Sequence, residues 1–189
     1  MAETLIFPIG HYQGKIRRGT DLVQEIRLGA SLLTLTDEEH RVWLAMHDRD
    51  GGQAVRAAES GVVSSLLERG ILFKVAENPS AQRTFALKHR LVPSMLGLGN
   101  TPEVPTAYSI GTIGDPAVEL PAPLYDLWEW GHMDPNLWVA VRGATATAQR
   151  VGIDNPAESV PELLLRRLLA ALHDILAEHA AYLDRGLRE

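Results

Sequence analysis

The chain has 189 residues, of which 46% are hydrophobic and 22% are charged, the balance of an ordinary globular protein. It contains no cysteine, which excludes disulfides, thiolate nucleophiles and cysteine metal sites. No apolar run reaches the roughly 18 residues that a membrane helix needs, and the N-terminus lacks the pattern of a secretion signal. We therefore expect a cytoplasmic protein with no membrane partner.

The formal net charge of −6 is unevenly placed along the chain. Residues 1–93 carry 12 basic and 11 acidic side chains, whereas residues 94–189 carry 6 basic and 13 acidic ones. Phosphate binding needs a local cationic surface, which the acidic second half does not favour. If either half contacts nucleic acid, we expect it to be the first.

An internal repeat runs through the sequence. When the chain is shifted by 85 positions, residues 29–47 fall on residues 114–132. A smaller echo pairs FPIG, ending at Gly10, with LGLG, ending at Gly99. A repeat indicates that one structural unit is used twice. The residues that coincide include Gly29 and Gly114, Trp43 and Trp128, and His47 and His132.

The repeat predicts two units of about 90 residues, one over residues 1–93 and the other over residues 94–189. A unit of that size buries only a modest core. We therefore expect the two units to pack on each other or on a second chain.

Short strands broken by turns are predicted for residues 4–35, where LVQEIRLG alternates as a half-buried strand does and GKIRRGTD forms a basic loop. Thr36 followed by three acids fits a capping box and starts a helix that RDGG ends. A second helix is predicted over 53–59 and a third over 62–69, with Gly70 as the expected C-cap of the third. A strand over 71–77 and a returning strand over 83–92 follow.

The second unit repeats this plan with changes. TAYSIGTIG and AVEL are predicted strands, followed by a helix from about Pro123 to His132. The stretch LWVAVRGATATAQRVG fits either a helix or a strand, and IDNPAES is a linker. A second capping box at Ser159 is expected to open a long helix that reaches about Leu183.

These segments resemble the winged-helix superfamily in two tandem copies. The resemblance rests on LLTLTDEEHRVWLAMHD, on VVSSLLERGILFKV and on the hairpin expected after it. It implies an α+β fold of two winged-helix-like repeats, each with short strands followed by helices, and a long C-terminal helix. Strands ahead of three helices are also similar to the peptide-binding winged helices that grip leader peptides of modified natural products. A resemblance at fold level says little about the ligand.

A DNA-binding winged helix would use its wing and the early basic loop to contact phosphates. The alternative is a solvated hairpin edge protected by charge. The third helix offers mostly serine and glutamate outward over 59–69, a poor surface for reading bases. The candidate DNA-binding residues are Arg83, Lys88, His89 and Arg90 in the wing, with Lys15, Arg17 and Arg18 in the loop.

The C-terminal helix carries an apolar stripe wider than one small core requires. Either this stripe covers the core of the second unit, or it packs against a protein partner or a second copy in a homodimer. Two tryptophans without a counterpart in the first unit would join such an interface, unless they too are core residues. The candidate interface residues are Leu165, Leu168, Leu172, Ile175, His179, Tyr182, Trp130 and Trp138.

Other sites are not indicated. The seven histidines lack metal-site spacing, and the glycine-rich stretches lack the lysine of a phosphate loop, so we expect no metal and no cofactor. His47 and His132 close the first helix of each unit, where a histidine favours the negative helix end. We read both as structural.

The sequence thus favours a non-enzymatic regulatory protein that acts in transcription, through DNA binding by the first repeat or through assembly with a DNA-bound complex. The alternative is a protein- or peptide-binding adaptor without nucleic-acid contact, for which the acidic second half and open sheet edges speak. An enzyme of unknown class is the third hypothesis, because no nucleophile, base and orienting group are visible together.

Overall fold

A computed structural model describes residues 4–51 and 60–187 of the chain, which folds as an α+β protein of helices and antiparallel sheets. The helix predicted over 53–59 lies outside these residues. In the first half a strand, a three-stranded meander and a helix are followed by a 3₁₀ turn, a second helix and a closing strand. They are β1 (Leu5–Pro8), β2 (His11–Arg18), β3 (Asp21–Leu28), β4 (Ser31–Leu35), α1 (Asp37–Ala45), the turn Arg49–Gly51, α2 (Ser60–Glu68) and β5 (Leu72–Val75).

A helix, α3 (Pro79–Lys88), connects the first half of the fold, which ends with β5, to the second half, which begins with β6. That half again contains a strand, a three-stranded meander, a helix, a 3₁₀ turn, further helices and a closing strand. They are β6 (His89–Pro93), β7 (Leu96–Gly99), β8 (Ala107–Thr112), β9 (Asp115–Pro121), α4 (Ala122–Trp130), the turn Gly131–Met133, α5 (Leu137–Arg150), α6 (Pro156–Ser159), α7 (Pro161–Ala177) and β10 (Ala181–Arg185).

The closing strand of each half pairs with the opening strand of the same half. β5 runs antiparallel to β1, with Leu5 opposite Val75 and Pro8 opposite Leu72. β10 runs antiparallel to β6, with Arg90 opposite Asp184 and Pro93 opposite Ala181. Adding 85 to the β1 numbers and 109 to the β5 numbers gives the second set of pairs. The two halves therefore share both element order and strand register.

The meanders also coincide at their irregular positions. The pairing of β2 shifts between Tyr12 and Gly14, and the pairing of β7 shifts between Gly97 and Gly99. Gly14 and Gly99 both have positive φ, a backbone conformation that favours glycine. The structural counterpart of Gly99 is therefore Gly14, at the same shift of 85, and not Gly10 as the sequence echo indicated.

Two local signals of the first half act as predicted, at the start of α1 and at the end of α2, but α1 ends at Ala45, before the RDGG stretch that was expected to end it. The Thr36 hydroxyl accepts from the Glu39 amide at 3.1 Å, and the Glu39 carboxylate accepts from the Thr36 amide at 3.0 Å, so the capping box is confirmed. Gly70, at φ 70°, ends α2. The Ile71 amide then donates to the Leu66 carbonyl at 2.9 Å, which satisfies a backbone oxygen at the helix end.

The prediction of a wing hairpin over 83–92 is wrong, because residues 79–88 form helix α3. Asn78 caps the helix by accepting from the Ala81 amide at 2.9 Å, and Pro79 takes the first helical position, where its missing N–H costs nothing. Gln82 and Phe85 point inward at helical spacing. The strand that follows is short and pairs with β10 rather than with β5.

Four other features differ from prediction. The basic loop is strand β2, and IDNPAES contains the short helix α6. The capping box at Ser159 is wrong, because Val160 precedes the first residue of α7 and has no side chain that can accept a hydrogen bond. The long helix ends at Ala177, because His179 adopts a left-handed turn at φ 54° and the chain continues as β10.

The hydrophobic core has two clusters. The smaller one lies in the first half and includes Trp43, Leu66 and Ile71. The larger one joins Phe7 of β1 and Leu28 of β3 to the helices of the second half, so the halves pack on each other. No helix within the described ranges is long and apolar enough to cross a membrane.

A buried carboxylate connects the halves. Asp184 in β10 is fully buried, and it accepts from the Gly29 amide at 2.6 Å. Its other oxygen lies 3.5 Å from the guanidinium groups of both Arg27 and Arg90. Arg27 also donates to the Tyr182 hydroxyl at 2.8 Å. This cluster, which we call the Asp184 junction, fixes the β3–β4 turn against β6 and β10.

We expect the Asp184→Asn variant to lose about 3 kcal/mol of unfolding free energy, because the amide leaves two partly buried guanidinium groups without a counter-charge. Urea denaturation followed by circular dichroism measures the loss. Asp174→Asn is the control, because this carboxylate is 66% exposed and its ion pair with Arg49 is long, at 4.0 Å. The control should change stability by less than about 0.5 kcal/mol. Equal midpoints for the two variants would contradict the assigned role.

Candidate functional site

The cations of β2 are largely engaged with neighbouring acids. Lys15 lies 3.2 Å from the Asp37 carboxylate, and Arg18 lies 2.6 Å from the Glu25 carboxylate. Arg17 is exposed and has no ion pair among the described residues. Because exposed ion pairs are weak, the cations of β2 can still bind an anion. Arg17 is the one of them without an ion pair among the described residues.

The predicted wing residues do not form one cationic surface. The Arg83 guanidinium stacks 4.7 Å from the Trp138 ring centre, and the Lys88 amine lies 5.6 Å from that of Phe73. His89 is buried, and Arg90 pairs with Asp184 in the junction. The four residues were grouped because a hairpin strand was predicted for them. They lie apart because positions 83 and 88 belong to a helix.

The apolar stripe of the C-terminal helix belongs to the chain's own core. Its four aliphatic members are at most 1% exposed, which agrees with the first of the two alternatives, a stripe that covers the core, and not with an interface to another subunit. They pack in the larger cluster because α7 lies centrally in the second half. The four are Leu165, Leu168, Leu172 and Ile175.

The other candidate interface residues have separate positions. His179 is exposed in the turn after α7, and Tyr182 lies in β10 with its ring 4.3 Å from that of His11. Trp138 is 5% exposed, whereas Trp130 at the end of α4 is 61% exposed. Of the eight predicted interface residues, Trp130 is the large apolar side chain that reaches solvent most fully.

The repeated histidines and tryptophans are structural, as predicted. His47 donates from Nδ1 to the Leu44 carbonyl at 3.0 Å, and His132 does so to the Glu129 carbonyl at 2.9 Å. Trp43 and Trp128 are buried core residues. Each histidine thus satisfies a backbone oxygen where its helix ends.

An apolar groove with a volume of about 580 Å³ lies between α4 and α5. The wall on α5 consists of small residues spaced three and four apart, so this helix leaves room beside it. Leu127 and Leu164 contribute to the apolar lining, and Trp130, Val151 and Ile153 are its exposed apolar residues. The small residues are Ala140, Gly143, Ala144, Thr147 and Ala148.

The charged residues that line the α4–α5 groove are all acidic. They are Asp126, Asp134 and Glu158, and no lysine, arginine or histidine lines the groove within the described ranges. Asp126 has no ion pair among the described residues, and desolvation beside the groove raises the pKa of this carboxyl, although more than a third of its surface is exposed. Glu158 accepts from the Asn155 amide at 2.7 Å. The groove therefore has a negative potential that no side chain within it offsets.

The small residues of α5 recur at helical spacing, which is a sequence signal for one wall of this groove. The same stretch also fits a strand, so the sequence alone did not identify the helical face. Within 4–51 and 60–187 no cluster of three or more histidine, aspartate or glutamate side chains could hold a metal ion. Comparison of the chain with known protein families, curated proteins and solved structures finds no match.

Two buried histidines couple stability to pH. Burial lowers the pKa of His47 to about 4 and that of His89 to about 4, from an ordinary value of 6.5. Below pH 6.5 the unfolded chain therefore binds protons that the folded chain does not. The free energy of unfolding should fall between pH 6.5 and pH 4, and these two groups should add no further loss below pH 4.

Each histidine should account for roughly 3 kcal/mol of that loss, at about 1.4 kcal/mol per pKa unit. We expect His89→Gln to remove about half of the decrease contributed by the pair, and the double variant with His47→Gln to remove nearly all of it. Urea denaturation at several pH values between 4 and 7 measures the slopes. A double variant as pH-sensitive as the unaltered protein would refute this assignment.

Proposed function

We propose that the protein is a non-enzymatic adaptor whose α4–α5 groove binds an apolar, lysine- or arginine-bearing helical segment of a partner protein. The observation that carries the proposal is the combination of an open apolar groove with three carboxylates and no lining cation. A helix laid in a groove is a common mode of peptide recognition. In this mode apolar side chains enter the groove and basic ones meet its acidic residues.

The shape of the groove supports a helical occupant. The small side chains of α5 allow another backbone to approach closely, and the groove lies between two helices. Trp130 and Met133 are 61% and 74% exposed beside it. Exposed tryptophan and methionine are enriched where proteins meet, because they give large contact areas.

The charge of the groove selects the partner. Bringing an acidic segment against Asp126 and Asp134 would place like charges together in a partly desolvated site, which is unfavourable. A basic segment instead gives these carboxylates the counter-charges that they lack. The acidic balance of the second half extends this attraction over a longer range.

We further propose that the two halves are tandem repeats of one unit, and that the second gained the groove after duplication. The shared register and element order support this relation. The first helix of each half ends at Met46 and at Gly131, respectively. The matching core residues in the last helix of each half are Leu66 and Ile175. The interval between these two points is therefore 24 residues longer in the second half. Most of the groove-lining residues lie in this longer segment. Strands followed by helices also agree with a distant winged-helix relation, but without a wing.

A peptide titration tests the groove. A designed amphipathic helix of leucine and lysine, roughly four turns long, should bind and shield Trp130 from acrylamide quenching. A leucine–glutamate peptide of equal length should not. Trp130 is a usable probe because Trp43, Trp128 and Trp138 are at most 5% exposed. The triple variant Asp126→Asn, Asp134→Asn, Glu158→Gln should weaken binding at least about tenfold, or 1.4 kcal/mol.

A second triple variant controls for net charge. Glu103→Gln, Asp115→Asn and Glu119→Gln remove the same number of charges from exposed positions outside the groove. Their peptide affinity should stay within about twofold of the unaltered protein, because distant surface charges are screened. Ala144→Phe, which fills the groove, should abolish protection of Trp130. Equal weakening by both triple variants would mean that overall charge, and not the groove, attracts the peptide.

Transcription regulation through DNA is a second candidate, favoured by Lys15, Arg17 and Arg18 on the edge strand β2. We expect only weak binding to a labelled generic duplex in fluorescence anisotropy at low salt, because two of these cations already have acidic partners. Affinity that falls steeply with salt, and that is lost when the three are replaced by alanine, would favour DNA regulation over the adaptor.

A further inference from the structure

A second cavity, of about 280 Å³, lies where the two halves meet. β1 and β5 of the first half form one side, and α7 of the second half forms another. The connecting helix α3 and the 3₁₀ turn at Arg49 complete the lining. None of its lining residues belongs to the α4–α5 groove, so the two sites are separate.

An amide without a partner lines this cavity. Gln82 of α3 is 7% exposed, and its side chain makes no hydrogen bond with any residue of the described ranges. Its amide oxygen and nitrogen are therefore available to a ligand that supplies a donor, an acceptor or both.

Charges of both signs lie at the same cavity. Arg166 of α7 is exposed and has no ion pair among the described residues. Arg49 donates to the Ala170 carbonyl at 2.7 Å and lies 4.0 Å from Asp174, so it is partly neutralised. Glu77, after β5, supplies an exposed carboxylate. An anion alone would meet Glu77, and a cation alone would meet Arg166.

His173 adds a hydrogen-bond acceptor. Its Nε2 is 3.1 Å from the Ile6 carbonyl, which can only accept, so Nε2 carries the proton. Burial lowers the pKa of His173, which keeps the ring neutral near pH 7. Nδ1 of the neutral ring is then free to accept from a ligand donor. Leu5, Val75 and Leu169 give the same cavity an apolar lining.

We propose that this cavity binds a free amino acid with an apolar side chain. The ligand carboxylate pairs with Arg166 and Gln82, its ammonium pairs with Glu77 and His173, and its side chain enters the apolar part. A cavity of about 280 Å³ has room for leucine, which has nine non-hydrogen atoms. Such a ligand contacts both halves and so stabilises their packing.

Isothermal titration calorimetry on the full chain tests the proposal with valine, leucine and methionine. Two fragments of leucine serve as probes of the charges: 4-methylpentanoate has only the carboxylate, and 3-methylbutylamine has only the amine. We expect at least one amino acid to bind, and each fragment to bind at least about tenfold more weakly than leucine. Absence of heat with all three amino acids, or fragments that bind as well as leucine, would overturn the proposal.

Matched variants separate this site from general charge effects. Arg166→Gln and Gln82→Leu should each weaken amino-acid binding at least about fivefold. Arg142→Gln, an exposed arginine on α5 that lines neither cavity, should leave it unchanged. Equal loss with Arg142→Gln would overturn the assignment. Far-UV circular dichroism and the Trp130 peptide titration check that each variant is folded, so failure here is distinguishable from failure of the groove.

Discussion

The fold depends on one buried carboxylate. Asp184 accepts backbone and guanidinium donors from both halves, so the β3–β4 turn, β6 and β10 are fixed relative to one another. A charge in such a site is stable only while its partners are in place, because desolvation is expensive. The packing of the halves then determines the cavity at Gln82, whose lining they share. The α4–α5 groove needs no such contact, since the second half alone builds it.

The two halves share the register of their paired strands and differ mainly in the helices of the longer second half. Both halves close through an antiparallel strand pair of the same register and through a left-handed residue after the last helix, Gly70 in one and His179 in the other. The longer second half adds helices around α4 and presents small side chains on α5. An added segment of this kind can acquire a ligand without disturbing that register, because it contributes little to the closing strands.

Several local and periodic signals of the first half were reliable, although the capping box expected at Ser159 did not form. The capping box at Thr36, the turn at Gly70 and the alternation of LVQEIRLG predicted their elements, because each depends on neighbouring residues. The stretch RTFALKHRLV was misread, since its β-forming residues fit a hairpin while Asn78 and Pro79 start a helix. The cavity at Gln82 could not be predicted, because its lining comes from residues far apart in the chain. The α4–α5 groove was missed because the stretch that forms α5 fits a strand as well as a helix.

The Asp184 junction also has a kinetic consequence. The contact from Gly29 to Asp184 spans 155 positions, and Gly10 donates to the Leu183 carbonyl across a similar separation. Such contacts require closure of a very long loop before they form, which slows folding in proportion to their share of the structure. The first half alone would leave Arg27 and two backbone donors without these acceptors. Because these first-half donors find their acceptors only in the second half, we expect the chain to fold as one cooperative unit.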